Sequence, residues 1–234
     1  MHTSLLLISS SMVHGYGYLD HPEAEMRDIL AGVRRVLFVP YAMHDLDAYA
    51  EKVRERLGRM GFDIDSVHES ADPAAAVEEA QALFIGGGNT FRLLAALYRA
   101  SLLLPIRRRV EGGMPYIGSS AGTIVACPTI RTTNDMPIVE PPSLAALGLV
   151  AFQINPHYLD ADPASTHQGE TRQERIRQFL EDNDAPVVGL REGGMLRIEP
   201  GSIHLTGTAA ARIFRRGAGP AEVQPGESLD FLIK

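Results

Sequence analysis

Tyr116-Ile117-Gly118-Ser119-Ser120-Ala121-Gly122-Thr123 sets the pattern Gly-x-Ser-x-Gly directly behind a short apolar run and ahead of another, Ile124-Val125-Ala126. As local structure it reads as a strand, a tight turn and the start of a helix. Small residues flank the central serine because the backbone of such a turn is crowded and strained. The helix start also offers free backbone N–H groups and the positive end of the helix dipole. Ser120 is thereby set out as a nucleophile, with the Ala121 N–H as one donor to a developing oxyanion. A glycine-rich turn capped by a serine has the same pattern, so the motif alone leaves a purely structural role open.

A second glycine turn lies upstream, in Phe84-Ile85-Gly86-Gly87-Gly88-Asn89-Thr90. It too follows an apolar run and opens a helical segment, and it offers N–H groups to an anion. No Gly-Lys-Ser/Thr follows it, and the Gly-x-Gly-x-x-Gly spacing is missing, so neither a Walker motif nor a dinucleotide fingerprint is present. With two such turns in one sheet, an oxyanion hole shared between Gly88 and Ala121 is the expectation.

A serine nucleophile needs a base, and the base needs an orienting carboxylate. Of the eight histidines, His157 stands in Ile154-Asn155-Pro156-His157-Tyr158, at the end of a predicted strand, where sites of open α/β sheets collect. His167 and His204 come next by position. Nothing resembling His-Glu-x-x-His points to a metal. Two carboxylates are candidates for the acid: Glu192, just past the apolar run 187–190, and Asp135, in the polar loop Arg131-Thr132-Thr133-Asn134-Asp135.

Outward from these motifs, short apolar runs alternate with helix-like segments. Strands are predicted at 5–8, 36–39, 62–67, 82–85, 115–117, 149–154 and 187–190, with helices at 46–60, 72–80, 90–104 and 171–181. That alternation predicts a mostly parallel sheet covered on both faces. Short runs at 195–198, 203–205, 211–214 and 229–233, parted by Pro and Gly, predict an antiparallel C-terminal extension. One domain, 1–234, is expected. Cys127 is expected as a buried small residue two turns along the helix that begins after Ser120.

Composition narrows the class. Lys plus Arg number 22 against 29 Asp plus Glu, a formal net charge of −7, so general affinity for nucleic acid or anionic membranes is not expected. The single cysteine excludes a disulfide framework and a cysteine-cluster zinc site. Residues 1–8 hold an apolar stretch of only four and no basic region, so no signal peptide is expected and the cytoplasm is the expected location.

Taken together, these stretches resemble the peptidase E family of cytoplasmic α-aspartyl dipeptidases. The resemblance runs over almost the whole chain and is carried by residues 84–90 (FIGGGNT), 116–122 (YIGSSAG), 126–139 (ACPTIRTTNDMPIV), 153–157 (QINPH) and 169–172 (GETR). One departure is visible: the family commonly has tryptophan before the nucleophile, where this chain has Ser119, a change expected to alter packing and leave activity in place. The resemblance implies an α/β fold, a three-layer α/β/α sandwich with a mostly parallel central sheet, like class I glutamine amidotransferases. It implies a triad in the order Ser120, His157, Glu192, with Asp135 as the alternative acid. It associates Arg172 with the substrate's aspartyl side chain; Arg131 and Asn89 are further candidates for substrate contact. The implied partner is a small Asp-Xaa peptide, with no cofactor or metal; monomer and homodimer both stay open. A cyanophycinase-like hydrolase of β-aspartyl linkages and a non-catalytic, amidotransferase-like ligand-binding protein are the alternatives.

Overall fold

The computed structural model describes residues 3–164, 166 and 168–233; His167 lies outside them. Eleven strands and seven α-helices are present among the described residues. The strands are β1 (Leu5–Ile8), β2 (Arg35–Val39), β3 (Asp63–Ser66), β4 (Leu83–Ile85), β5 (Tyr116–Ser119), β6 (Gln153–Pro156), β7 (Val187–Leu190), β8 (Gly194–Glu199), β9 (Ser202–Gly207), β10 (Ala211–Phe214) and β11 (Ala221–Val223). The helices are α1 (Glu23–Ile29), α2 (Leu46–Arg59), α3 (Pro73–Glu79), α4 (Thr90–Arg99), α5 (Leu103–Glu111), α6 (Ala121–Val125) and α7 (Arg172–Asp182).

Seven strands form one sheet in the order β3-β2-β4-β5-β1-β8-β9, and four form a second in the order β11-β10-β7-β6. From β3 through β1 the neighbours are parallel; β8 and β9 add on antiparallel. In the second sheet β6 and β7 are parallel, with β10 and β11 antiparallel beyond β7.

The all-apolar strand sequences follow from burial on both faces. Leu5, Leu37, Leu83 and Tyr116 point into one core with α3, α4, α5 and α6. Their neighbours Leu6, Val36, Phe84 and Ile117 point into the other, against Met26 and Ile29 of α1 and Val53 and Leu57 of α2. Chain direction explains the division of helices. From β1 through β2 to β3 the chain walks one way along the sheet; from β3 to β5 it walks back. Right-handed crossovers put the helices of opposite walks on opposite faces, which makes three layers. The first core continues into the second sheet through Ile154, Val188, Leu190 and Ile213, while α7 covers the far face with Ile176 and Leu180 beside Tyr158, Val187 and Phe214.

Several sequence expectations need correction. The predicted helix 90–104 is two helices, broken where Ser101 takes a positive φ of 55°. The run 229–233 is a single 3-10 turn, Asp230–Leu232, and the last strand lies earlier, at β11. The run 149–154 enters a strand only at Gln153. The C-terminal strands are antiparallel as expected, but they divide between the two sheets instead of extending one. Helix α1 was not anticipated; it is short and Pro22 gives it no side-chain cap. Helix α6 stops at Val125, so Cys127 lies beyond it, fully buried, and burial pushes its thiol up to about 12. No helix among the described residues is long and apolar enough to cross a membrane.

Candidate active site

The carboxyl ends of the parallel strands gather the chemistry, as expected of open α/β sheets. Ser120 follows β5 with φ 51° and ψ −107°, a conformation that side chains rarely adopt. The turn is held from several sides. The Ser120 N–H donates to Ile8 O at 3.0 Å, Tyr116 Oη donates to Gly122 O at 2.6 Å, and Thr123 Oγ1 lies 2.7 Å from Ile8 O. Gly122 lies so close to the Ile85 carbonyl of β4 that a Cβ there would collide with it. The glycine in the motif is thus required by a neighbouring strand, a long-range reason for a local pattern.

His157 follows directly on β6 and also takes a positive φ, 51°. Its Nε2 lies 2.9 Å from Ser120 Oγ, and its Nδ1 lies 2.7 Å from Glu192 Oε1. Glu192 sits two residues past β7, the parallel neighbour of β6, so the register of that pair sets the histidine beside the carboxylate. Ser9, directly after β1, accepts from the His157 N–H at 2.9 Å and donates to Leu190 O at 2.7 Å. The polar block after α6 clamps β6 in turn: Asn134 Nδ2 donates to Pro156 O, and Asn155 Nδ2 donates to Thr132 O, both at 2.8 Å.

Asp135 is engaged elsewhere. Its Oδ2 accepts from the Thr90 N–H at 2.7 Å and from Thr90 Oγ1 at 2.6 Å, at the start of α4. A carboxylate there satisfies an orphan N–H and complements the helix dipole. Asp135 still lines the same cavity as Ser120, His157 and Glu192, a space of about 1030 Å3.

The glycine turn after β4 forms another wall. Gly88 takes φ 135°, and a Cβ on it would lie 2.5 Å from Ala42 O, so only glycine fits. Neither its N–H nor that of Ala121 has a partner among the described residues. Tyr49 of α2 braces the turn: its hydroxyl packs so close to Gly86 that a Cβ there would collide with it, and burial raises its phenol above the ordinary value. Asn89 is the N-cap of α4, accepting from the Arg92 N–H at 3.0 Å, and its Nδ2 donates to Met136 O at 2.9 Å. Both ends of that side chain are therefore engaged in structure.

The other predicted residues lie apart. Arg172, at the start of α7, lines an adjoining cavity of about 430 Å3 with Leu159, Asp160 and Arg175. Burial and the neighbouring Arg175 pull its guanidinium below the ordinary value. Arg131 is exposed and lines neither cavity. His204 lies on β9 opposite Arg197. Ser119 is buried on the α1–α2 side, with no hydrogen-bond partner for its Oγ among the described residues. Asp47, His68 and Glu69 bring ligand atoms within 4.8 Å of one another, but His68 bonds Ser66 and Asp47, and Glu69 pairs with Arg54.

Sequence reasoning missed Ser9 and Tyr49. The serine run 9–11 after the first strand was the available signal for Ser9. Tyr49 had none, because its role depends on how α2 packs. Burial holds the His21 imidazole below its ordinary value, against the opposing pull of Asp20 and Glu192.

A relay of hydrogen bonds from a carboxylate through histidine to a serine on a strand-end elbow defines the class: a hydrolase of the serine type. More narrowly, the chain belongs to peptidase family S51, whose family model matches residues 5–206. It is 55% identical over 230 residues to a protein named Peptidase E from Streptomyces coelicolor, covering 98% of this chain and 95% of that one. It is 49% identical over 234 residues to a Drosophila melanogaster protein named "Probable alpha-aspartyl dipeptidase", covering 99% and 98%. The fold is similar to that of a peptidase from an acI-B1 actinobacterium solved by crystallography. That comparison gives a TM-score of 0.72 at 18% identity, over 98% of this chain and 97% of that one.

Proposed function

We propose that this peptidase cleaves dipeptides whose first residue is aspartate, through an aspartyl-enzyme intermediate. The observation that carries the reading is the unbroken chain Ser120 Oγ–His157 Nε2 and His157 Nδ1–Glu192 Oε1, 2.9 and 2.7 Å, opening into one cavity. The name of the Drosophila melanogaster relative, "Probable alpha-aspartyl dipeptidase", supplies the substrate class.

In this scheme His157 takes the proton of Ser120 as Oγ attacks the aspartyl carbonyl. Glu192 holds the Nδ1 proton, fixes the ring's tautomer and stabilises the imidazolium. The oxyanion lies on the N–H groups of Gly88 and Ala121, each such donor contributing about 3 kcal/mol to the barrier reduction. His157 gives its proton to the leaving amine, and water, deprotonated by the same ring, releases aspartate and restores Ser120. Asp135 acts on α4 rather than on the imidazole.

A dipeptide Asp-Xaa carries two carboxylates, and a guanidinium grips a carboxylate bidentately. Arg172, with no carboxylate within 4.0 Å among the described residues, is proposed for one of them from the adjoining cavity, whose wall starts just past His157. Asn89 and Arg131 have no place in the scheme. We read the chain as one domain acting in the cytoplasm on small peptides.

The test is hydrolysis of Asp-Leu beside Glu-Leu, Ala-Leu and β-linked Asp-Leu by the wild type and Ser120→Ala. Cleavage of α-linked Asp-Leu alone, abolished in the variant, supports the reading. Preference for the β-linked peptide moves the assignment to β-aspartyl hydrolysis, and no cleavage by folded protein overturns it.

A further inference from the structure

The cavity in front of Ser120 contains one cation that the scheme above does not use. Lys52 and Lys234 are the only lysines in the sequence; arginine supplies every other basic side chain apart from histidine. Lys52 lies on α2 one turn beyond Tyr49, and both residues line the same cavity as Ser120. Among the described residues no Arg lines that cavity, and Arg172 lies in the adjoining one.

The surroundings of Lys52 fit an anion rather than a structural ion pair. Its ammonium stands 4.0 Å above the centre of the Tyr18 ring, a contact that orients the cation without neutralising it. Burial raises the Tyr18 phenol well above its ordinary value, so the ring beneath the ammonium carries no charge. No carboxylate among the described residues lies within 4.0 Å of the ammonium, whereas Arg54 and Arg56 of the same helix are both paired with acids. The three carboxylates around the cavity are engaged. Asp45 caps α2 through the Ala48 N–H at 2.9 Å, Asp135 holds Thr90, and Glu192 holds His157. The ammonium is therefore left without a direct carboxylate partner among the described residues, pre-oriented on an aromatic face.

We infer that Lys52 is a substrate-binding residue whose ammonium takes a carboxylate of the peptide held at Ser120. The inference rests on the dipeptidase reading. A dipeptide with N-terminal aspartate offers that chemistry twice, at the aspartyl side chain and at the C-terminus. A lysine suits either, because its three donors rotate freely and need no planar fork.

The experiment compares the wild type, Lys52→Met and Lys52→Arg on Asp-Leu and on Asp-Leu amide, which lacks the C-terminal carboxylate. The side chain is exposed, so neither substitution disturbs the core. The expected result for Lys52→Met is a KM for Asp-Leu raised ten- to hundredfold, kcat changed less than threefold, and recovery of most of the loss in Lys52→Arg. An equal rise with the amide assigns Lys52 to the aspartyl side chain. A rise with Asp-Leu and none with the amide assigns it to the C-terminal carboxylate. An unchanged KM in Lys52→Met, beside an active wild type, overturns the inference alone. A fall confined to kcat does the same, since it reads chemistry rather than binding. A wild type that cuts neither peptide overturns the dipeptidase reading and this inference with it.

Discussion

The backbone amide of His157 donates to the hydroxyl of Ser9, 2.9 Å away, so the residue that faces the nucleophile is held by a side chain from the other sheet. Ser9 follows directly on β1 of the seven-stranded sheet; His157 follows directly on β6 of the four-stranded one. The same hydroxyl reaches Leu190 O, at the end of β7. One buried hydroxyl thus ties together the strand ends that precede His157 and Glu192, the proposed base and acid. Ser9→Ala leaves the His157 N–H without its partner, a loss of about 1–3 kcal/mol. The expected outcome is a lower midpoint in urea and a several-fold lower kcat on Asp-Leu. Lost stability with an unchanged kcat would assign Ser9 to the fold alone.

Glu192 bonds His157 and Asp135 bonds Thr90, and in the proposed scheme that difference gives them distinct tasks, which sequence reasoning could not separate. Glu192→Gln puts an uncharged amide where the carboxylate fixed the ring's tautomer and balanced the imidazolium, and is expected to lower kcat by as much as about 10⁴-fold with little loss of stability. Asp135→Asn weakens the start of α4 and is expected to destabilise by about 1 kcal/mol while kcat falls less than tenfold. Steady-state kinetics paired with thermal unfolding checks both. The opposite ranking of the two kcat values would return the acid's role to Asp135.

Ser120 holds a backbone conformation that glycine adopts without strain. A residue in such a region carries about 1–3 kcal/mol of strain. Ser120→Gly is therefore expected to abolish turnover and at the same time to raise the unfolding midpoint relative to Ser120→Ala. Equal midpoints in calorimetry for the two variants would show that the surrounding hydrogen bonds, not strain, dominate at the elbow.

Acid sensitivity follows from Asp160. Arg191 bonds both of its oxygens, at 2.7 and 2.9 Å, and holds its carboxyl below the usual aspartate range. A depressed carboxyl pKa contributes stability that is present above the ordinary aspartate value and lost as pH falls through the depressed one. Arg191→Met is expected to be less stable than the wild type near neutrality, with the gap closing on acidification. Half the carboxylate is exposed, so the gap is small. A gap that persists into strong acid would trace it instead to the Arg191 guanidinium over the Tyr158 ring, 5.6 Å from the ring centre.

What the sequence disclosed divides by range. The elbow at Ser120, the turn at Gly88 and the position of Glu192 past an apolar run are local, and each stood in fewer than ten consecutive residues. The two-faced burial of β1, β2 and β4 was legible because runs such as Leu5-Leu6-Leu7-Ile8 have no polar side to show solvent. Choosing between Glu192 and Asp135 needed the register of β6 on β7, which no local pattern encodes. Tyr49 and Lys52 looked like part of an ordinary amphipathic helix; only the docking of α2 against the glycine turn turns them toward Ser120. The division of the C-terminal strands between two sheets was illegible for the same reason. Both destinations accept short apolar runs equally well, and pairing decides between them.

That division has a consequence for how the molecule is assembled. Strand β1 is apolar on both faces and completes its pairing only with β5 and β8, the latter separated from it by most of the described chain. Closing so long a loop is slow compared with forming the helices. Until both partners arrive, β1 presents open rows of N–H and C=O groups on an apolar ribbon, a template for pairing with another unfinished chain. The strand that organises the finished enzyme is, on the ribosome or in a refolding tube, its most exposed liability.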